Sequence, residues 1–259
     1  VAATAAMAPF EGPISPTWGD AYAGPGSTLA ASLAAGTTVE VTDRVATGEI
    51  DSGLALVRPP GHHAECSKCM GFCLYNNVGV AAAVALDRHQ MTRILVVDWD
   101  IHHGNGTQEM FWNDPRVLYV SLHRYPFYPG PSGDPGRVGS GEGMGFNINV
   151  AWPMAGVGDG AYVEAFERLV MPVGRAYDPE LVIISCGFDA AEGDPLGECA
   201  VTPAGYGHMT RELMELARGK VVVALEGGYN LRSISRSMEQ CARALLGEVP
   251  PLRRAEEEE

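Results

Sequence analysis

Short apolar runs at 54–57, 94–98, 117–122, 181–185 and 221–225 punctuate the chain. They hardly alternate, which is how strands buried on both faces read. A further run at 146–150 alternates and is expected at a sheet edge. Between these runs lie amphipathic stretches at 76–88, 159–177, 203–218 and 231–246. Asp159 is placed as an N-cap and Gly219 as the C-cap of the third stretch. The segment 37–45 stays open, because its β-branched alternation competes with helical flanks. Strands alternating with helices of this length predict βαβ units, a mostly parallel sheet and one α/β domain.

Parallel sheets carry their sites outside the carboxyl ends of the strands. The loaded segments here all follow strands. The run 54–57 leads to Arg58-Pro-Pro-Gly-His62-His63, and 94–97 leads to Asp98-Trp-Asp100-Ile-His102-His103-Gly-Asn105-Gly. The run 181–185 leads to Cys186-Gly-Phe-Asp189, and 221–225 to Glu226-Gly-Gly-Tyr229. In extended backbone, residues i and i+2 point the same way. Asp98, Asp100 and His102 therefore share one face, with Trp99 and Ile101 packed on the other. Such an O,O,N set suits a divalent cation such as zinc, whereas a strand end with a solvated turn would need none of it. Three loops, 58–75, 98–106 and 123–145, are rich in special residues, and long irregular loops in a compact domain are usually functional.

The formal net charge of -14 argues against nucleic-acid binding, which needs a basic footprint. The four Glu at 256–259 read as a solvated tail. No apolar run approaches the ~20 residues that span a membrane. Six cysteines in 259 residues do not make a disulfide scaffold, so a reducing compartment is the default. Cys66, Cys69 and Cys73 lack the second half that a four-cysteine zinc site requires, and read as free loop thiols. A reversible Cys66–Cys69 disulfide is the alternative.

Taken together, R-P-P-G-H-H-A-E (58–65), G-F-C (71–73), D-W-D-I-H-H-G-N-G-T-Q (98–108), S-L-H-R-Y (121–125), G-F-D-A (187–190), G-D-P-L-G (193–197) and E-G-G-Y-N (226–230) resemble the zinc-dependent histone deacetylase family. The class II branch and its bacterial amidohydrolase relatives look closest. The resemblance implies a single-domain, three-layer arginase/deacetylase fold over residues 20–250. It leaves 1–19 as an irregular N-terminal segment and 251–259 as the acidic tail. Relatives carry a longer segment before R-P-P-G-H-H that 1–19 does not match, so the expectation is either a trimmed N-terminal part or a fragment of a longer chain. Asp20 is loosely placed at the family's substrate-backbone contact.

The resemblance also implies roles. Asp100, His102 and Asp189 are the expected zinc ligands, three protein donors that leave a position open. His62 and His63 are the expected acid/base pair. Asp98 partners His62, and Asn105, the class II residue, partners His63. A neutral partner leaves the His63 pKa lower than a carboxylate would. Tyr229 is expected to donate to the amide oxygen. Gly71, Phe72, Tyr128, Leu196 and Gly228 are expected around the substrate, with Phe127 competing for the place of Tyr128. A structural potassium ion is expected on Asp98, Ser121 and the carbonyls of Asp100, His102 and Leu122. His103 is read as a structural hydrogen-bonder.

The implied activity is hydrolysis of N-acetyl-lysine amides in proteins, releasing acetate, with neither nucleic acid nor membrane as a direct partner. The implied place is the cytoplasm, or the nucleus in a eukaryote. The rival enzyme is an acetylpolyamine amidohydrolase. Polyamine-selective relatives carry an acid where this chain has Leu196. The rival of another class is a silent acyl-lysine binder.

Overall fold

The computed structural model describes residues 23–249. The readings of Asp20, 1–19 and 251–259 fall outside the described residues. Six strands form one sheet: β1 (Ser52–Ala55), β2 (Ile94–Asp98), β3 (Val117–Arg124), β4 (Asn147–Trp152), β5 (Leu181–Cys186) and β6 (Val221–Leu225). Their order is β1-β6-β5-β2-β3-β4, and each adjacent pair is parallel. The alternating run does lie at an edge, as β4.

Helices cover both faces, which makes three layers. On one side lie α1 (Ser27–Thr47) and α2 (Asn77–Arg88), whose Ala34, Val45, Val78 and Ala82 pack with Ile94, Val96 and Ile183. On the other lie α4 (Asp159–Ala165), α5 (Met171–Tyr177), α6 (Pro203–Leu213) and α7 (Leu231–Leu245). There Tyr162, Phe166, Tyr206, Met209 and Met238 pack with Leu95, Val97, Val182 and Ile184. Alternate residues of one strand thus feed two cores, which is why the central strands read as continuous apolar runs. Each such side chain contributes ~1.5–3 kcal/mol on full burial.

The ambiguous 37–45 segment is helical. Ala31, Ala34, Ala35, Thr38, Thr42 and Val45 form one buried stripe, and Thr38 returns its hydroxyl to the Ala34 carbonyl at 3.0 Å. The stripe of small residues lets α1 approach closely, so tertiary packing overrides the β-branched propensity. The predicted 159–177 helix is interrupted by a π turn at Phe166–Val170. Two caps differ from expectation. Gly158 caps α4, and Asp159 instead accepts the Thr202 N–H at 2.8 Å and hydroxyl at 2.7 Å, tying α4 to the start of α6. The predicted 203–218 helix stops at Leu213, and Gly219 (φ +81°) ends a separate short turn. The loop read at 98–106 hides the start of a two-turn helix, α3 (Asn105–Met110).

Candidate metal centre and active site

In the sheet register Asp98 lies level with Ser121 of β3 on one side and Ser185 of β5 on the other. The chain leaving β2 therefore passes between two strands before reaching Asp100 and His102. Asp189 follows β5 by three residues. The atoms converge: His102 Nδ1 lies 3.1 Å from Asp100 Oδ1 and 2.9 Å from Asp189 Oδ2. Asp100, His102 and Asp189 offer ligand atoms within 4.8 Å of one another, the one such group of three among the described residues. Trp99 and Ile101 point into the core beneath.

Backbone donors aim the carboxylates. Asp100 accepts the N–H of His102 at 2.9 Å and of Gly227 at 2.9 Å, and Asp189 accepts that of Ile101 at 2.8 Å. Glycine is required on both sides. A Cβ on Gly187 would stand 2.1 Å from Asp100 Oδ2, and one on Gly227 would stand 2.6 Å from Asp189 Oδ2. Both carboxylates are fully buried. Burial raises the Asp189 carboxyl to about 7, helped by Asp100. Burial opposes charge on His102, yet Asp189 and Asp100 lift it to about 10. Burial also opposes charge on Asp100, yet His62 and His102 beside it hold its carboxyl well below the usual carboxylate range. Two carboxylates and an imidazole so aimed fit a zinc ion.

His62 and His63 stand beside this group, their ring centroids 4.0 Å apart. His62 Nε2 is 3.8 Å from Asp100 Oδ1, and its Nδ1 is 3.0 Å from Asp98 Oδ2. Asp98 Oδ2 also accepts the Tyr119 hydroxyl at 2.8 Å. His63 Nδ1 meets Asn105 Oδ1 at 2.8 Å, while the Asn105 amide donates to Glu65 at 2.6 Å. That donation orients the amide so that its oxygen faces the ring. Acceptors at Nδ1 place the proton there in both imidazoles and turn Nε2 toward the site. Burial opposes a charged His62, but Asp100 and Asp98 hold its pKa well above 6.5. Burial, with His62 and His102 nearby, pushes His63 well below 6.5.

Aromatic rings surround the group. Phe72 packs edge-on to Tyr229 with centroids 6.1 Å apart, and Tyr128 packs edge-on to His63 at 5.0 Å. Phe127, the competing aromatic, stacks on His102 at 5.1 Å and 16°. Arg124 covers the Phe127 ring, 4.3 Å from its centroid. Gly71 (φ +55°) turns against His63, where a Cβ would come within 2.2 Å of the ring. Gly228 (φ +121°) precedes Tyr229, and Leu196 is 45% exposed. Ser121 Oγ meets His123 Nδ1 at 2.8 Å, and Leu122 is buried. His103 bonds Ser132 and Gln108 at 3.0 and 3.1 Å, turned away from the Asp100–His102–Asp189 group.

Sequence reasoning gave no role to two buried acids. Asp194 accepts the Tyr229 N–H at 2.7 Å and those of Leu196 and Gly197 at 2.9 and 3.1 Å. Glu226 accepts N–H groups from the histidine loop, at Gly61 and His62. Its signal was an acid directly after a buried apolar strand, the pattern that singled out Asp98. All six cysteines are free thiols.

The histidine pair and the three-donor group come from segments that the family model describing the "Histone deacetylase domain" matches over residues 4–245. The chain belongs to the histone deacetylase family. Its match begins within the 1–19 segment set apart above. Histone deacetylase 5 of Arabidopsis thaliana is 54% identical over 232 residues, covering 87% of this chain and 35% of that protein. Histone deacetylase HDA1 of Saccharomyces cerevisiae is 53% identical, covering 86% and 33%. Histone deacetylase 9 of Homo sapiens is 50% identical, covering 87% and 23%. The chain thus spans about a third or less of the length of these relatives. The crystal structure of the HDA15 HD domain superposes with a TM-score of 0.87 at 52% identity, covering 92% of this chain and 67% of that one.

Proposed function

We propose that this histone deacetylase domain hydrolyses N-acetyl-lysine amides in proteins, releasing acetate, with zinc held by Asp100, His102 and Asp189. The observation that carries the reading is the convergence of those three buried donors beside two imidazoles whose Nε2 atoms face them. When bound, zinc supplies Lewis-acid polarisation of a carbonyl and acidification of water. His62 and His63 move the protons: one Nε2 takes a proton from water, the other gives one to the leaving amine. Asp98 and Asn105 hold the two rings at Nδ1. Burial, with Asp189 and Asp100 nearby, holds the Tyr229 hydroxyl far above its usual pKa. It therefore stays protonated and donates to the carbonyl oxygen as charge develops there.

Phe72 and Tyr128 offer ring faces to the four methylenes of the lysine stem, and Gly71 and Gly228 let it pass near backbone. Potassium would be held by Asp98, Ser121 and the carbonyls of Asp100, His102 and Leu122, balancing the buried carboxylates. The catalytic unit is taken as 20–250, flanked by 1–19 and the acidic 251–259. The proposed place of action is the cytoplasm or nucleus, with neither nucleic acid nor membrane as a direct partner. No helix among the described residues is long and apolar enough to cross a membrane.

The apolar Leu196 favours acyl-lysine over the cationic chain of an acetylpolyamine. Purified protein given acetyl-lysine peptides and acetylspermidine in parallel decides this. Faster turnover of the peptides is expected, and preference for acetylspermidine would reverse the assignment. Zinc-loaded protein that binds hydroxamates yet turns over neither would make the domain a silent binder.

A further inference from the structure

Glu226 directly follows β6, and its side chain is fully buried. Its Oε2 accepts the Gly61 N–H at 2.6 Å and the His62 N–H at 3.1 Å. Its Oε1 accepts the Ser185 hydroxyl at 3.2 Å, and its own N–H is bound to the Cys186 carbonyl at 3.1 Å. Cys186 leads directly into Asp189, so Glu226 joins the strand that delivers Asp189 to the loop that delivers the histidines. The His62 carbonyl is fixed from the other side, by the N–H groups of Gly106 and Thr107 at 3.0 and 3.3 Å. His62 is thus held at its N–H, its carbonyl and its Nδ1, and only Nε2 is left to react.

We infer that Glu226 is a positioning residue, setting where the His62–His63 segment stands over the Asp100–His102–Asp189 group through the Gly61 and His62 N–H groups. The inference rests on the proton-transfer reading of the two histidines. Two N–H groups converge on one oxygen, an arrangement that a carboxylate or amide oxygen can accept and a hydrocarbon cannot. A misplacement of ~1 Å in a catalytic group is enough to slow a reaction about a hundredfold.

The test uses zinc-loaded protein. In Glu226→Ala, kcat falls about 10- to 100-fold, the range for lost supporting partners, with KM and zinc per chain unchanged. Glu226→Gln can still offer one oxygen to both N–H groups and its NH2 to the Ser185 oxygen, so it keeps the larger part of the rate. By NMR, the Gly61 and His62 amide protons resonate downfield in wild type and in Glu226→Gln, and move upfield in Glu226→Ala. Wild-type kcat in the Ala variant would overturn the inference, as would equal damage in the Gln variant or ordinary amide positions in wild type. If the Ala variant does not fold, the wild-type amide positions and the Gln variant decide. If wild-type protein hydrolyses nothing, the deacetylase reading fails, while the amide positions still test the clamp.

Discussion

His62 Nδ1 lies 3.0 Å from Asp98 Oδ2, an oxygen that also receives the Tyr119 hydroxyl. Asp98 thereby fixes both the tautomer and the tilt of the ring. Asp98→Asn keeps the shape and removes the charge. It is expected to lower kcat about 10- to 100-fold with zinc retained, as loss of such partners does. Steady-state kinetics with metal analysis checks this, and an unchanged kcat would remove Asp98 from the account.

The neutral partner of His63 sets a pH limb. Burial, with His62 and His102, keeps His63 below its ordinary pKa. Asn105→Asp would place a carboxylate where Oδ1 now stands 2.8 Å away, favouring the charged ring. Whether His63 must be neutral or protonated to act, the limb of kcat/KM that reports it moves to higher pH. Superimposable profiles would contradict the pairing.

Tyr229→Phe removes one hydroxyl from a half-buried ring next to Phe72. Its kcat should fall about 100- to 1,000-fold, the range for a lost oxyanion donor. KM and thermal unfolding should change little. A near-normal kcat would remove the hydroxyl from the mechanism.

His123 predicts how stability responds to acid. Burial lowers its pKa from 6.5 to about 4, although it bonds the Gly133 carbonyl at 2.9 Å. Above pH 6.5 folded and unfolded chains both hold it neutral. As pH falls toward 4 the unfolded chain binds a proton that the folded chain refuses, and stability is lost. The loss is of order 3 kcal/mol if the shift is fully expressed. Urea unfolding at pH 7 and pH 5 should show His123→Gln losing less over that interval than wild type. Equal losses would place the acid sensitivity elsewhere.

Much of this was legible because each central strand feeds two cores, so 94–98 and 221–225 are unbroken apolar runs that end abruptly in acids. Asp98, Asp100 and His102 stood out as polar residues at the end of such a run, whereas Asp189 joined the ligand set, and Asp98 left it, only through the family resemblance. Helix α1 was harder, because its buried face is built of Ala and Thr and carries little amphipathic contrast. Helix α3 hid behind Gly104, Asn105 and Gly106, which read as a turn. Glu226 was visible within its motif, but its work is on an N–H 165 residues away, which no local pattern encodes. Phe127 and Tyr128 could not be told apart by spacing. The structure puts Phe127 on His102 and Tyr128 against His63.

The central claim is that three buried donors hold the zinc on which hydrolysis depends. The direct measurement is acetate release from an acetyl-lysine peptide, together with zinc content, for wild type, chelated wild type and Asp189→Ala. The account expects about one zinc per chain with turnover in wild type, as a three-donor catalytic site holds one ion, and loss of both in the other two samples. Turnover by fully metal-free protein would contradict it.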